Sequence, residues 1–346
     1  MEILPTFIIA VFLAVLSVPT FIAIRRARRG VQDFFVASGT LGKVAAAFAW
    51  ITTCISAYGF IGLSIIAYTW GENWHLLDAS YFAFTIVALM FLVAPRIWRA
   101  GRKFNCITAG DLLVHRVGGF NIPIRVLIVI MLILPLMFYM GIQFIAISAV
   151  ASGCTGVPYH TWLAVFAIVT TIIIIAGGLR SIAYTDIVMG ATFIALLVIT
   201  LILLPIMFGP DFITKAATNP ATSWIYDVSI PFQYALSYFI FASMPWAGTI
   251  PHLMINIFGW KDEKTVYSSA FSWGITAAIV YCIAPSILAA ALANYWPTPP
   301  QVTVKEEIAA KFFAELISPE FSAVILLGII GAALSTIMAL SLTLAS

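Results

Sequence analysis

Residues Thr52–Ser64 read TTCISAYGFIGLS and lie in the middle of a long apolar run. Six hydroxyl and thiol groups (Thr52, Thr53, Cys54, Ser56, Tyr58, Ser64) and two glycines crowd the segment. A membrane helix is weakened by such residues at the depth where lipid supplies no water to a loosened backbone. Polar, glycine-interrupted backbone is tolerated there only when it is buried in protein or lines a cavity. The segment is therefore read as one wall of a binding site.

The surrounding sequence fits that depth. The chain is 62% hydrophobic and 9% charged, against roughly 45–50% apolar and 25% charged residues in soluble domains. Its apolar runs are long and continuous, each near the ~20 residues that span a bilayer as a helix, unlike the short alternating segments of membrane barrels. The expected class is an all-α, polytopic integral membrane protein. Cys54, Cys106, Cys154 and Cys282 are scattered without metal-ligand spacing and imply no disulfide framework. A soluble enzyme is excluded because no nucleophile–base set, phosphate loop or metal cluster occurs, and GGLRS lacks the strand and spacing of a dinucleotide turn. The net charge of +3 does not point to nucleic acid, since most of the positive charge is placed by topology.

Helices are expected near residues 3–24, 41–70, 75–98, 122–150, 160–177, 186–208, 231–258, 266–294 and 322–346. The first has no basic residue before it and ends in RRARRG, so it reads as a retained span, not a cleaved signal. Basic residues concentrate in cytoplasmic loops. With the N-terminus outside, fourteen of the seventeen Lys and Arg fall on the inner side, and only Lys215, Lys305 and Lys311 on the outer. In the last outer connection, VKEEIAAKFFAELI repeats apolar residues at helical spacing; it is either an amphipathic helix over the outer mouth or a solvated linker. The chain stops at Ser346 inside its ninth apolar run, which suggests an incomplete sequence.

Two further segments carry chemistry. Residues 241–252, FASMPWAGTIPH, place Pro245, Gly248 and Pro251 in an apolar span, and proline removes a helix hydrogen bond. Paired interrupted spans in corresponding positions of two halves point to a solute and ion site. On the last helix, Ala332, Ser335 and Thr336 share a face at spacings of three and four. Neutral oxygens of this kind suit a hard monovalent cation, whereas a divalent metal calls for carboxylates. Small residues and hydroxyls on a membrane helix equally describe close helix packing.

These residues resemble the sodium:solute symporter family. The likeness is carried by DFFVASGTLG (33–42), ISAYGFIGLSIIAYTWG (55–71), TAGDLLVHRVG (108–118), GGLRSIAYTDIVMG (177–190), the PH pair of IPHLMINIFGWKDEK (250–264) and ALSTIMALSL (333–342). The resemblance implies a broken-helix, inverted-repeat (LeuT-like) core in the plasma membrane. It implies a sodium site with carbonyl ligands from Thr52, Ile55 and Ala332 and hydroxyls from Ser335 and Thr336. Asp186 corresponds to the family's acidic residue near the ion exit; as a lone carboxylate at the start of the 186–208 helix it reads equally as a cap.

Departures from the family bear on the solute. Sugar carriers place polar side chains where this chain has Gly59 and Ile250, and a lysine on the helix matching 266–294, which has none. Proline carriers have an aspartate where Cys54 stands, and the arginine that usually follows the PH pair is Asn256. The remaining solute-site candidates are Cys54, Ser56, Tyr58, Gly59, Tyr139, Gln143 and Trp246. A small monocarboxylate, an amino acid or a urea-like amide stays open as cargo. The expected activity is sodium-coupled import by alternating access. Competing readings are a symporter-like sensing module of a signalling protein and an inactive truncated fragment.

Overall fold

The computed structural model describes residues 2–346 apart from 29, 81–86, 119–121, 239, 241–249, 303, 304 and 306. The described chain is helical; a bridge between Leu41 and Trp260 is its one β feature. α1 (Ile3–Val15) and α2 (Ser17–Arg26) form one apolar span. α3 (Val31–Val36) leads to α4 (Lys43–Ile55), which is joined through a π turn at Tyr58–Gly62 to α5 (Leu63–Trp70) with a bend of 47°. α6 (Glu72–Ser80), α7 (Val87–Leu92), α8 (Ala94–Phe104) and α9 (Ala109–Arg116) precede the long α10 (Ile122–Thr155) and α11 (Tyr159–Phe208). After α12 (Phe212–Thr218), α13 (Trp224–Asp227) and α14 (Phe232–Tyr238) come α15 (Pro251–Gly259) and α16 (Glu263–Ala277). A π turn at Ala278–Ile283 links α16 to α17 (Ala284–Tyr295), and α18 (Glu307–Leu316) and α19 (Pro319–Leu344) follow. Among the described residues, five helical stretches are long and apolar enough to cross a bilayer, or six with the bent α4–α5 pair.

Two long helices define the layering. In α19, 89% of the most apolar 18-residue window is buried within the protein, against 6% in α10. α19 is therefore the central post, packed on α11, α10 and α4, and α10 turns most of its apolar surface outward. Within VKEEIAAKFFAELI, α18 is helical and amphipathic: Ile308, Ala309, Ala310, Phe312 and Phe313 are buried, and Lys311 and Glu315 are exposed.

Several boundaries shift, with α8 reaching Phe104 and α10 reaching Thr155, and one departs in kind. Residues 178–185 do not form a loop between two helices; α11 runs through them, with helical geometry broken only at Gly177 and Gly178. Gly178 has φ +55°, and a Cβ there would lie 2.0 Å from the Phe34 carbonyl oxygen. A corner built from two glycines uses no loop residues, so the helix restarts at once.

Candidate functional site

The break in the first interrupted helix falls at Ser56, whose φ of 53° and ψ of −168° are rare for a residue with a side chain. Backbone of this kind costs on the order of 1–3 kcal/mol and persists when its surroundings hold it. Here the surroundings are its own side chain and side chains from distant elements. The Ala57 amide donates to Gln143 Oε1 at 3.1 Å, the Tyr58 amide to Ser56 Oγ at 3.1 Å, and the Tyr281 hydroxyl to the Cys54 carbonyl at 2.7 Å. A Cβ on Gly59 would come within 3.0 Å of the Tyr281 hydroxyl, so this glycine admits Tyr281 to the break.

One turn before the break, α4 meets α19 and α11. Ser335 Oγ donates to Thr52 Oγ1 at 2.9 Å and lies 3.2 Å from Thr53 Oγ1. The Thr336 hydroxyl lies 3.1 Å from both the Thr53 and Ala332 carbonyls. Asp186 of α11 turns its carboxylate to the Thr52 and Ser335 hydroxyls, yet among the described residues neither of its oxygens has a hydrogen-bond partner of ordinary geometry. Thr52, Thr53, Ile55, Ala332, Ser335, Thr336 and Asp186 are all at most 1% exposed. A carboxylate buried without a full set of partners is costly, and a cation among these oxygens relieves that cost. The donor set of hydroxyls, carbonyls and one carboxylate suits a hard monovalent ion. Among the described residues no group of three or more His, Cys, Asp or Glu is arranged to hold a metal. The cap reading of Asp186 fails, because the residue lies two turns past Gly178, inside α11 and at the hydroxyl cluster.

The solute-site candidates divide. Ser56 and Gln143 are at most 3% exposed, and Gln143 reaches the break through the Ala57 amide; Tyr139, on the same helix as Gln143, turns its hydroxyl toward Ser56. Cys54 is buried, and the contact it makes is through its carbonyl. Tyr58 is 36% exposed and donates to Asp78 Oδ2 at 2.5 Å, while the Tyr238 hydroxyl reaches the other oxygen of Asp78. Trp246 and residues 241–249 of the second interrupted segment lie outside the described residues; α15 begins after it, with Ile250 as N-cap and Pro251 in its first turn.

Sequence reasoning passed over Tyr281 and the polar face of α6. Glu72, His75 and Asp78, at spacings of three, are all buried. His75 Nε2 donates to the Tyr281 carbonyl at 2.6 Å, its Nδ1 lies 3.2 Å from Glu72 Oε1, and the Ser286 hydroxyl donates to Glu72. The spacing within GENWHLLDAS was the available signal.

At the end of the molecule bearing the kink of α11, Arg180 donates to Asp33 Oδ1 at 2.6 Å and to the Ala37 carbonyl at 3.1 Å. Asp33 also accepts from the Arg28 amide at 2.6 Å and the Ser38 hydroxyl at 2.9 Å. Burial raises the Asp33 pKa, but the bonds from Arg180, Arg28 and Ser38 outweigh it and hold the carboxyl below its ordinary value. Nearby, the Arg102 guanidinium donates to the carbonyls of Gly39, Trp260 and Lys261. This clasp joins DFFVASGTLG to GGLRS.

A model of the family described as "Sodium:solute symporter family" matches residues 34–346. The chain is 25% identical over 324 residues to a sodium/pantothenate symporter of Haemophilus influenzae, covering 88% of this chain and 62% of the relative. It is 24% identical over 265 residues to the sodium/pantothenate symporter of Escherichia coli, covering 72% of this chain and 52% of that protein. The chain thus spans little more than half the length of these relatives. Among solved structures, it superposes on a Na+-coupled sialic acid symporter in a substrate-bound outward-open state, with a TM-score of 0.81 and 18% identity, over 98% of this chain and 71% of that one. This match makes the fold the LeuT-like, broken-helix one.

Proposed function

Because the chain belongs to the sodium:solute symporter family, we propose that it forms the ion- and solute-binding core of a carrier that imports a small organic solute together with sodium. The observation that carries this reading is the buried cluster of Thr52, Thr53, Ser335, Thr336 and Asp186 beside a broken helix. Sodium is cargo in this scheme. Its ligands are the carbonyls of Thr52, Ile55 and Ala332 and the hydroxyls of Ser335 and Thr336, and Asp186 supplies the balancing charge and the first step of the exit path.

Coupling follows from differential affinity, since an ion shifts a conformational equilibrium only by binding one state more tightly. Sodium draws the end of α4 toward α19 and orders the break that Gln143, Tyr139 and Tyr281 hold. Solute then binds against Ser56, Tyr58, Gly59, Tyr139, Gln143 and Trp246. While the site faces outward, Asp33 and Arg180 keep the opposite end shut. The test is uptake into cells of a panel of monocarboxylates, amino acids and small amides in sodium and in potassium medium. At least one solute is taken up faster in sodium; equal uptake of every solute in the two media rejects the reading.

A further inference from the structure

α15 begins directly after residues 241–249 and packs against α4 and α19, the two helices that carry the hydroxyl cluster. Its second residue, His252, is 1% exposed, and neither of its ring nitrogens has a hydrogen-bond partner among the described residues. Buried polar side chains are almost always paired, and each exception calls for an explanation. The imidazole lies beside Tyr139, with ring centroids 5.7 Å apart, and the Tyr139 hydroxyl faces Ser56 at the break. One turn along α10 from Tyr139, Gln143 receives the Ala57 amide. Tyr139 is already engaged and is the wall that ties His252 to the break, not a spare donor.

The chemistry of the position selects the partner. The start of a helix is electropositive because its peptide dipoles align; in α15 Pro251 has no N–H and those of Leu253 and Met254 bond the Ile250 carbonyl, so the positive end rests on those dipoles. Anions, and carboxylates among them, are favoured there. α15 has nine residues, and Pro251 opens it. An ammonium group placed at His252 meets that positive end and is disfavoured; a carboxylate meets it and accepts a hydrogen bond from a ring N–H. Asn256, one turn further, donates to the His252 carbonyl at 3.3 Å and is buried, with its side-chain oxygen unpaired among the described residues. That oxygen repels an anion, which confines the favourable position to the first turn.

We propose that His252, at the start of α15, is the subsite for a carboxylate on the transported solute. The inference rests on the symport reading and deepens it: the cargo is a carboxylate-bearing compound, with the sodium site one helix away to offset its charge. Neutral amides of the same shape lack the charge that the helix start favours and bind less well.

The test is a thermal-shift titration of the full chain in saturating sodium chloride with matched pairs of acids and amides: propionate and propionamide, lactate and lactamide, proline and prolinamide, nicotinate and nicotinamide. A ligand that binds only the folded state raises the melting temperature in a concentration-dependent way. At least one acid shifts the wild type more than its amide. His252→Phe raises the concentration needed for half that shift by about tenfold, the loss of one hydrogen bond to a charged group. His252→Gln, which keeps an N–H donor, raises it less; its cooperative melt without solute shows that the fold survives. Equal titration midpoints for wild type and His252→Phe overturn the subsite. A preference for amides, or no acid-specific shift in the panel while sodium alone still shifts the melt, overturns the carboxylate assignment. Absence of a sodium shift in the wild type overturns the symport reading instead.

Discussion

Replacing Arg180 by Met should release the end of the molecule at which α11 kinks. The Asp33–Arg180 pair is buried, with side chains 4% and 7% exposed, and removing one partner of such a pair typically costs about 3–5 kcal/mol. Asp33 keeps the Arg28 amide and the Ser38 hydroxyl, so the lower end, about 3 kcal/mol, is the expected loss. At 1.4 kcal/mol per factor of ten, that changes the ratio of closed to open clasp by about a hundredfold. Hydrogen exchange read by mass spectrometry on peptides covering 31–39 and 177–185 measures it, because exchange reports local opening. Arg180→Met should speed exchange in both peptides by about that factor. Asp33→Asn should do less, and the double variant should fall well short of the sum, as coupled partners do. The pH dependence has a definite sign. A carboxyl held below its ordinary pKa of about 4 stabilises the fold above that value and loses the contribution as pH falls through its lowered value. Wild-type protection should therefore fall at acid pH, and Arg180→Met should show less of that fall. Unchanged exchange in Arg180→Met, or strict additivity with Asp33→Asn, refutes the clasp.

Other substitutions probe the frame of the site. Gly178→Ala places a Cβ 2.0 Å from a backbone oxygen at a positive φ, where a left-handed residue alone costs about 1–2 kcal/mol; its yield and melting temperature should collapse, whereas Gly141→Ala, with nothing within 4 Å, should match the wild type. Gln143→Leu strands the buried Ala57 amide at a cost of about 1–3 kcal/mol, while Gln143→Glu keeps an acceptor. Equal melting temperatures for the wild type and both Gln143 variants would show that the break is held by something else. Tyr281→Phe removes the donor to the Cys54 carbonyl and should lower stability by about 1 kcal/mol, read from denaturant midpoints; no change discounts its role at the break.

The parts of the site legible in the sequence are those whose signal is local. Glycines and hydroxyls packed into Thr52–Ser64 announce a break, and the structure puts it at Ser56. The spacing of Ala332, Ser335 and Thr336 announces a shared face, and that face meets α4. From sequence, Asp186 stands at a helix start because the Gly177–Gly178 corner consumes no loop residues, and hydropathy alone places the restart too late. Cys54 stood out for its thiol, whereas its backbone carbonyl makes the contact. Tyr281 is a single polar residue in an apolar span. It meets its partner 227 positions away in sequence, and no local pattern encodes that pairing. A helix period tells which residues share a face but not which helix that face meets.

The central claim is a sodium ion held between α4 and α19 with Asp186 at its side. Saturable binding of radioactive sodium to the purified protein, with potassium as competitor, tests it most directly. The wild type should bind sodium in preference to potassium, and a Ser335→Ala, Thr336→Ala double variant should need at least about tenfold more sodium for half-saturation. Sodium binding by the double variant indistinguishable from the wild type, or displacement by potassium at equal concentration, contradicts the account.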